Sequence, residues 1–108
     1  MNQYKVSSIP DNGCMGLKLQ HGDSELKIIA LRMGAEIICY LNSCPHTGVN
    51  LEWTPDQFLD ASGELIQCAT HGALFQREDG YCISGPCTGA YLGPVKVEIH
   101  GEMFEISL

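Results

Sequence analysis

Cys44-Pro45-His46-Thr47-Gly48 and, later in the chain, Cys68-Ala69-Thr70-His71-Gly72 decide how this sequence is read. Each box carries one thiol and one imidazole within a few residues. A thiolate and an imidazole in one tight turn can reach different metal atoms of a small cluster, and the second box repeats the arrangement from the other side. Gly48 and Gly72 follow closely, where a loop curling around a cluster needs backbone freedom and no Cβ. Thr47 and Thr70 offer side-chain donors or simply solvated loop positions. Zinc also accepts two Cys and two His, but its usual spacings pair Cys with Cys and His with His, whereas each box here mixes them.

Outward from the boxes, short apolar stretches alternate with glycine-containing turns, the mark of an antiparallel β protein. Strands are predicted at Tyr4–Ser7, Gly16–Gln20, Leu26–Leu31 and Glu36–Leu41, the last two joined at Met33-Gly34. Leu65–Gln67, Leu74–Gln76 and Tyr81–Ile83 follow, with a turn at Asp79-Gly80. Val95–His100 and Met103–Ser107 close the chain as a hairpin through Gly101. One helical turn is predicted at Thr54–Leu59, with Thr54 as cap and Pro55 at the first helical position. The boxes therefore fall on two loops, after Glu36–Leu41 and after Leu65–Gln67. The expected architecture is all-β: a β-sandwich or partly open barrel formed by one domain, residues 1–108, with residues 43–87 as a smaller lobe.

The two boxes, their glycines and Gly85-Pro86 together resemble the Rieske [2Fe–2S] family, with Gly85-Pro86 matching the proline loop that shields its cluster. The resemblance implies one [2Fe–2S] cluster, with Cys44 and Cys68 on one iron and His46 and His71 on the other. It makes Pro86 a non-ligand cover. Two ferric ions, two sulfides and two thiolates sum to zero, so His ligation makes reduction easier than in a four-Cys cluster. The imidazole edges of His46 and His71 become the expected exit for the electron.

The departures from that pattern are equally informative. High-potential respiratory members carry an extra Cys in each box and bridge the two. Val49 and Thr70 stand at the matching positions here. Those members also set Ser and Tyr hydroxyls against the cluster sulfurs, where this chain has Ala73 and Phe75. Fewer donors leave the reduced cluster less stabilised, so a low, ferredoxin-type potential of roughly −150 mV is expected. The gap between the boxes is longer than in most ferredoxin-type members, the surplus falling at residues 53–63. With the stretch 80–87, this resembles a group of small bacterial Rieske proteins. Trp53 and Phe58 on the added segment are expected either to fold back onto the domain or to form a docking knob.

The remaining features bound the function. The chain has 108 residues, enough for one modest core but not for a core plus a substrate cavity. No mononuclear iron triad accompanies the boxes, so independent catalysis is not expected. Thirteen acidic residues against six basic ones give a net charge of −7, which disfavours nucleic acid as a partner and suits partners with basic docking faces. No run is long and apolar enough for a membrane span, and Met1–Lys5 do not resemble a signal peptide, so a cytoplasmic protein is expected. The resulting expectation is a soluble one-electron carrier between a reductase and a terminal oxidoreductase such as an oxygenase. Its rivals are a fixed subunit resembling the small subunit of a nitrite reductase, and a redox sensor. Four of the six cysteines lie outside or between these assignments. Cys39 sits in an apolar strand pattern and is expected in the core. Cys14 is placed in a glycine-flanked turn. Cys82 and Cys87 flank the proline loop, and thiols are expected there because a reducing cytoplasm disfavours a disulfide. His21 and His100 each precede a glycine and are expected to be exposed rather than ligands.

Overall fold

The structure, a computed structural model, describes residues 2–43, 58–60, 63–68, 72–85 and 87–108. Among these residues the regular elements are β-strands and a single 3-10 turn at Val6–Ser8. The strands are β1 (Gln3–Lys5), β2 (Cys14–His21), β3 (Ser24–Met33), β4 (Glu36–Leu41), β5 (Leu65–Gln67), β6 (Leu74–Gln76), β7 (Cys82–Ser84), β8 (Pro94–His100) and β9 (Met103–Ser107). They form a six-stranded antiparallel sheet in the order β1-β9-β8-β4-β3-β2 and a three-stranded sheet in the order β5-β6-β7.

The alternation that predicted these strands also sets what they bury. Side chains on successive strand residues point to opposite faces. Leu17 and Leu19, Ile28 and Ala30, Ile37 and Cys39, and Phe104 and Ile106 share one face of the large sheet and form one core with Ile9 and Val95. On β3, however, Ile28, Ile29, Ala30 and Leu31 are all buried. Ile29, Leu31 and Tyr40 of β4 present the opposite face to a second core containing Phe58, Ile66, Phe75 and Leu92. The continuous apolar run of β3 is thus the signature of a strand covered on both sides. The small sheet is what covers its second side.

The large sheet curls until its two edges meet. β1 and β2 lie at opposite ends of the strand order. Yet Asn2 Nδ2 donates to the Gln20 carbonyl at 3.1 Å, and the Gln20 N–H donates to Asn2 Oδ1 at 2.9 Å. Tyr4 Oη also donates to the Lys18 carbonyl. Side chains rather than a backbone ladder therefore close the seam, which gives a partly open barrel and shields two otherwise unpaired edges.

Three local readings are corrected. Val6 and Ser7 were expected in the first strand, but they belong to the 3-10 turn, where the Ile9 N–H donates to the Val6 carbonyl. Cys14 is not in a turn. The turn comes earlier, at Asn12 with a positive φ of 56°, and Cys14 opens β2 opposite Leu31. The end of the predicted helical turn is extended instead: Leu59 bridges Ile66, and the Gln67 N–H donates to the Phe58 carbonyl at 2.8 Å. Pairing with the free edge of β5 satisfies these backbone groups, which outweighs the local capping signal. Residues 54–57 of that turn lie outside the described residues.

Candidate metal centre

The second box begins where β5 ends. Cys68 is fully buried. Its N–H donates to the Ala73 carbonyl, and the Gly72 N–H donates to the Cys68 carbonyl, both at 2.8 Å. These two bonds tie Cys68 to Gly72 and Ala73, and β6 then leads back along β5. Ala73 and Phe75 are also fully buried, and neither side chain can donate a hydrogen bond.

A second loop presses on this one. β7 runs into Gly85, whose φ is +105°. A Cβ placed there would lie 2.7 Å from Ala73 Cα and 3.0 Å from Ala73 Cβ. The backbone at Gly85 therefore rests directly on Ala73, the residue after the second box, and the close approach requires glycine. The base of this loop is fixed by backbone bonds. The Cys82 N–H donates to the Ala90 carbonyl at 2.8 Å, Gly89 N–H to Cys82 at 3.1 Å, and Ala90 N–H to Cys87 at 2.9 Å. Thr88 Oγ1 donates to the Gly85 carbonyl at 2.7 Å and braces the tip from below.

The small sheet is tied to the barrel by Tyr40, whose hydroxyl donates to the Arg77 carbonyl at 2.7 Å, at the turn between β6 and β7. Burial pushes the Tyr40 phenol well above its ordinary value, and the nearby Asp79 and Glu78 carboxylates add to that. The phenol thus stays protonated and keeps donating. The first box follows β4. The Leu41 N–H donates to the Gly93 carbonyl and the Asn42 N–H to the Lys27 carbonyl, which fixes the end of β4.

Of the four expected ligands, the structure places Cys68. Cys44, His46 and His71 lie outside the described residues, as do Pro86, Thr47, Val49, Trp53 and Thr70. Phe58 is completely buried in the core shared with Cys68, Ala73 and Phe75. It therefore folds back onto the domain and anchors the end of the added segment. Cys39 is buried, as its strand pattern implied, and burial pushes its thiol up to about 12. His21 and His100 are exposed at the ends of β2 and β8. The sequence did not reveal that the sulfurs of Cys82 and Cys87 meet, at 3.1 Å, inside the same core as Cys68.

Residues 3–101 match the family profile described as Rieske [2Fe-2S] domain. Among solved structures, the ferredoxin of carbazole 1,9a-dioxygenase from Nocardioides aromaticivorans IC177 is similar over 99% of this chain and 95% of its own, at 15% identity and a TM-score of 0.73. A chain from the complex of reduced oxygenase and oxidised ferredoxin in carbazole 1,9a-dioxygenase matches over 97% of this chain and 99% of its own, at 21% identity and a TM-score of 0.70. The terminal oxygenase of carbazole 1,9a-dioxygenase from Novosphingobium sp. KA1 matches over 99% of this chain but 30% of its own, at 16% identity and a TM-score of 0.77. At these identities the likeness establishes a shared fold. Comparison with curated proteins gives no match.

Proposed function

This chain belongs to the Rieske [2Fe-2S] domain family, whose cofactor is one [2Fe–2S] cluster, and on that footing we propose that it is a one-electron carrier serving a terminal oxidoreductase. The observation that carries this reading is the donor set. Two thiols and two imidazoles lie in the two boxes, and Cys68, the described member, is buried and bonded to Gly72 and Ala73, against which Gly85 packs. The chemistry of that set fits the cluster. Cys44 and Cys68 would hold one iron, and His46 and His71 would hold the other.

When bound, the cluster accepts and releases a single electron. The chain supplies the rest. The buried Cys68, Ala73 and Phe75 keep water from one side of the centre. Ala73 and Phe75 bring no donors toward sulfur, so the potential lies at the low end for this ligand type. The imidazole edges of His46 and His71 form the path out, and a partner docks over them. As a single domain, residues 1–108 with a cluster-bearing part at 43–87, the protein works as the electron-carrying component of a partner oxidoreductase.

Two further observations support the partner class. Ferredoxin and oxygenase were solved together in the structurally similar carbazole 1,9a-dioxygenase complex. A net charge of −7 suits steered encounter with basic faces on a reductase and an oxygenase. No helix among the described residues is long and apolar enough to cross a membrane. The carrier role itself favours the cytoplasm as the place of action.

The test is assembly of the centre. Anaerobically purified protein should contain about two irons and two sulfides per chain and, when reduced, give a rhombic Rieske EPR signal. Ala at Cys44, His46, Cys68 or His71 should abolish that signal, while His21→Ala and His100→Ala should retain it. Stoichiometric zinc without iron, or a normal signal from any of the first four variants, would refute the assignment.

A further inference from the structure

Cys82 and Cys87 have no place in the electron path, yet the structure brings them together. Both are thiols. Cys82 is fully buried, and Cys87 retains a small exposure of 8%. The Cys87 sulfur lies 3.1 Å from that of Cys82, and the Cys82 sulfur lies 3.2 Å from the Ser84 carbonyl. The backbone bonds of Cys82 to Gly89 and Ala90, and of Cys87 to Ala90, fix both ends independently of the side chains. A disulfide needs its sulfurs at about 2 Å. The two sulfurs must therefore approach by about 1 Å more. The pair brackets Gly85, the residue that rests on Ala73, immediately after the second box.

We propose that Cys82 and Cys87 form an oxidation site, at which hydrogen peroxide converts the two thiols into an intramolecular disulfide that pins the cover loop. Cys87, the partly exposed member, attacks one peroxide oxygen. The O–O bond breaks, water leaves, and Cys87 becomes a sulfenic acid. The Cys82 sulfur then displaces that oxygen as a second water, and the S–S bond forms. Two thiols lose two electrons, one peroxide becomes two waters, and both thiol protons end in water. A thiol reductant reverses the change by exchange. Closing a loop this short removes part of the freedom that would let Gly85 lift away from Ala73. Protection of the cluster by the pinned loop rests on the Rieske reading, whereas the oxidation itself does not.

Peptide mapping of the intact holoprotein tests the chemistry. The tryptic peptide spanning residues 78–96, between Arg77 and Lys96, contains Cys82 and Cys87 and no other cysteine. Anaerobic protein should carry two maleimide labels on this peptide when alkylated in denaturant. After stoichiometric hydrogen peroxide it should carry none and be lighter by two hydrogens, and dithiothreitol should restore both labels. Persistent double labelling, or oxygen addition that dithiothreitol does not reverse, would overturn the proposal. Hydrogen exchange tests the pinning: the Thr88, Gly89 and Ala90 amides should exchange about tenfold or more slowly in the disulfide form. Cys87→Ser should show no such response to peroxide. Unchanged exchange in the disulfide form would remove the pinning role. Iron assayed on the same samples separates the two readings, because iron-free protein that still forms the disulfide would sink the cluster assignment and leave the oxidation site standing.

Discussion

Gly85→Ala, compared with Gly89→Ala, isolates how firmly the cover loop is seated. Both glycines adopt backbone conformations that L-residues rarely take, with φ of +105° and +96°. Each substitution therefore incurs backbone strain on the order of 1–3 kcal/mol. Their surroundings differ. A Cβ at Gly89 meets nothing within 4 Å, while one at Gly85 would lie 2.7 Å from Ala73 Cα and 3.3 Å from Ala73 N. Ordinary carbon contacts lie at about 3.5–4.0 Å, so the loop or the second box must shift. The obstacle is backbone, not a flexible side-chain tip. Overpacking of this kind costs about 1–3 kcal/mol more. Gly85→Ala should thus lose about 2–6 kcal/mol and Gly89→Ala about 1–3 kcal/mol. Thermal melts by far-UV circular dichroism should put the Gly85 variant lower by at least about 4 °C. The Gly85 variant should also release its cluster faster to a chelator. Equal melting points and equal cluster half-lives in the two variants would show that the loop does not bear on Ala73.

Phe58→Ala empties a fully buried site and should cost about 3–5 kcal/mol, read as a lower urea midpoint. A change below about 1 kcal/mol would mean that Phe58 does not anchor the added segment. Phe75→Tyr should raise the midpoint potential by on the order of tens of millivolts where the new hydroxyl reaches a cluster sulfur. An unchanged potential with a stability loss of about 1–3 kcal/mol would instead mark an unsatisfied buried hydroxyl. Alkaline pH should destabilise the fold through Cys39, whose thiol is raised from 9.0 to about 12 by burial. The unfolded thiol ionises near the ordinary value while the folded one keeps its proton, so this contribution is full below pH 9.0 and is lost as pH rises toward about 12. The slope for this group is about −1.4 kcal/mol per pH unit across that window. Cys39→Ala should make the decline of the urea midpoint above pH 9.0 shallower, and an identical decline would refute the assignment.

Local pattern determined a great deal by itself. Strand positions followed from alternation and turn residues, and β4, β5, β6 and β9 have the predicted bounds. The boxes and Gly85-Pro86 pointed to the family whose profile spans residues 3–101. These are short-range signals, carried by residues near one another in the chain. What tertiary structure decided depends on residues far apart. Asn2 and Tyr4 close the barrel against β2 because the curl of the sheet brings its edges together. Leu59 is extended, not helical, because β5 offered it an open edge. Gly85 must be glycine less for its turn than for the Ala73 backbone beneath it. Cys82 and Cys87 could be read as flanking the proline loop, but only the crossed bonds at the base of that loop set their sulfurs in contact. Sequence spacing gives the reach of a chain, but contact across a core depends on which faces pack, and that is settled only when the two sheets meet.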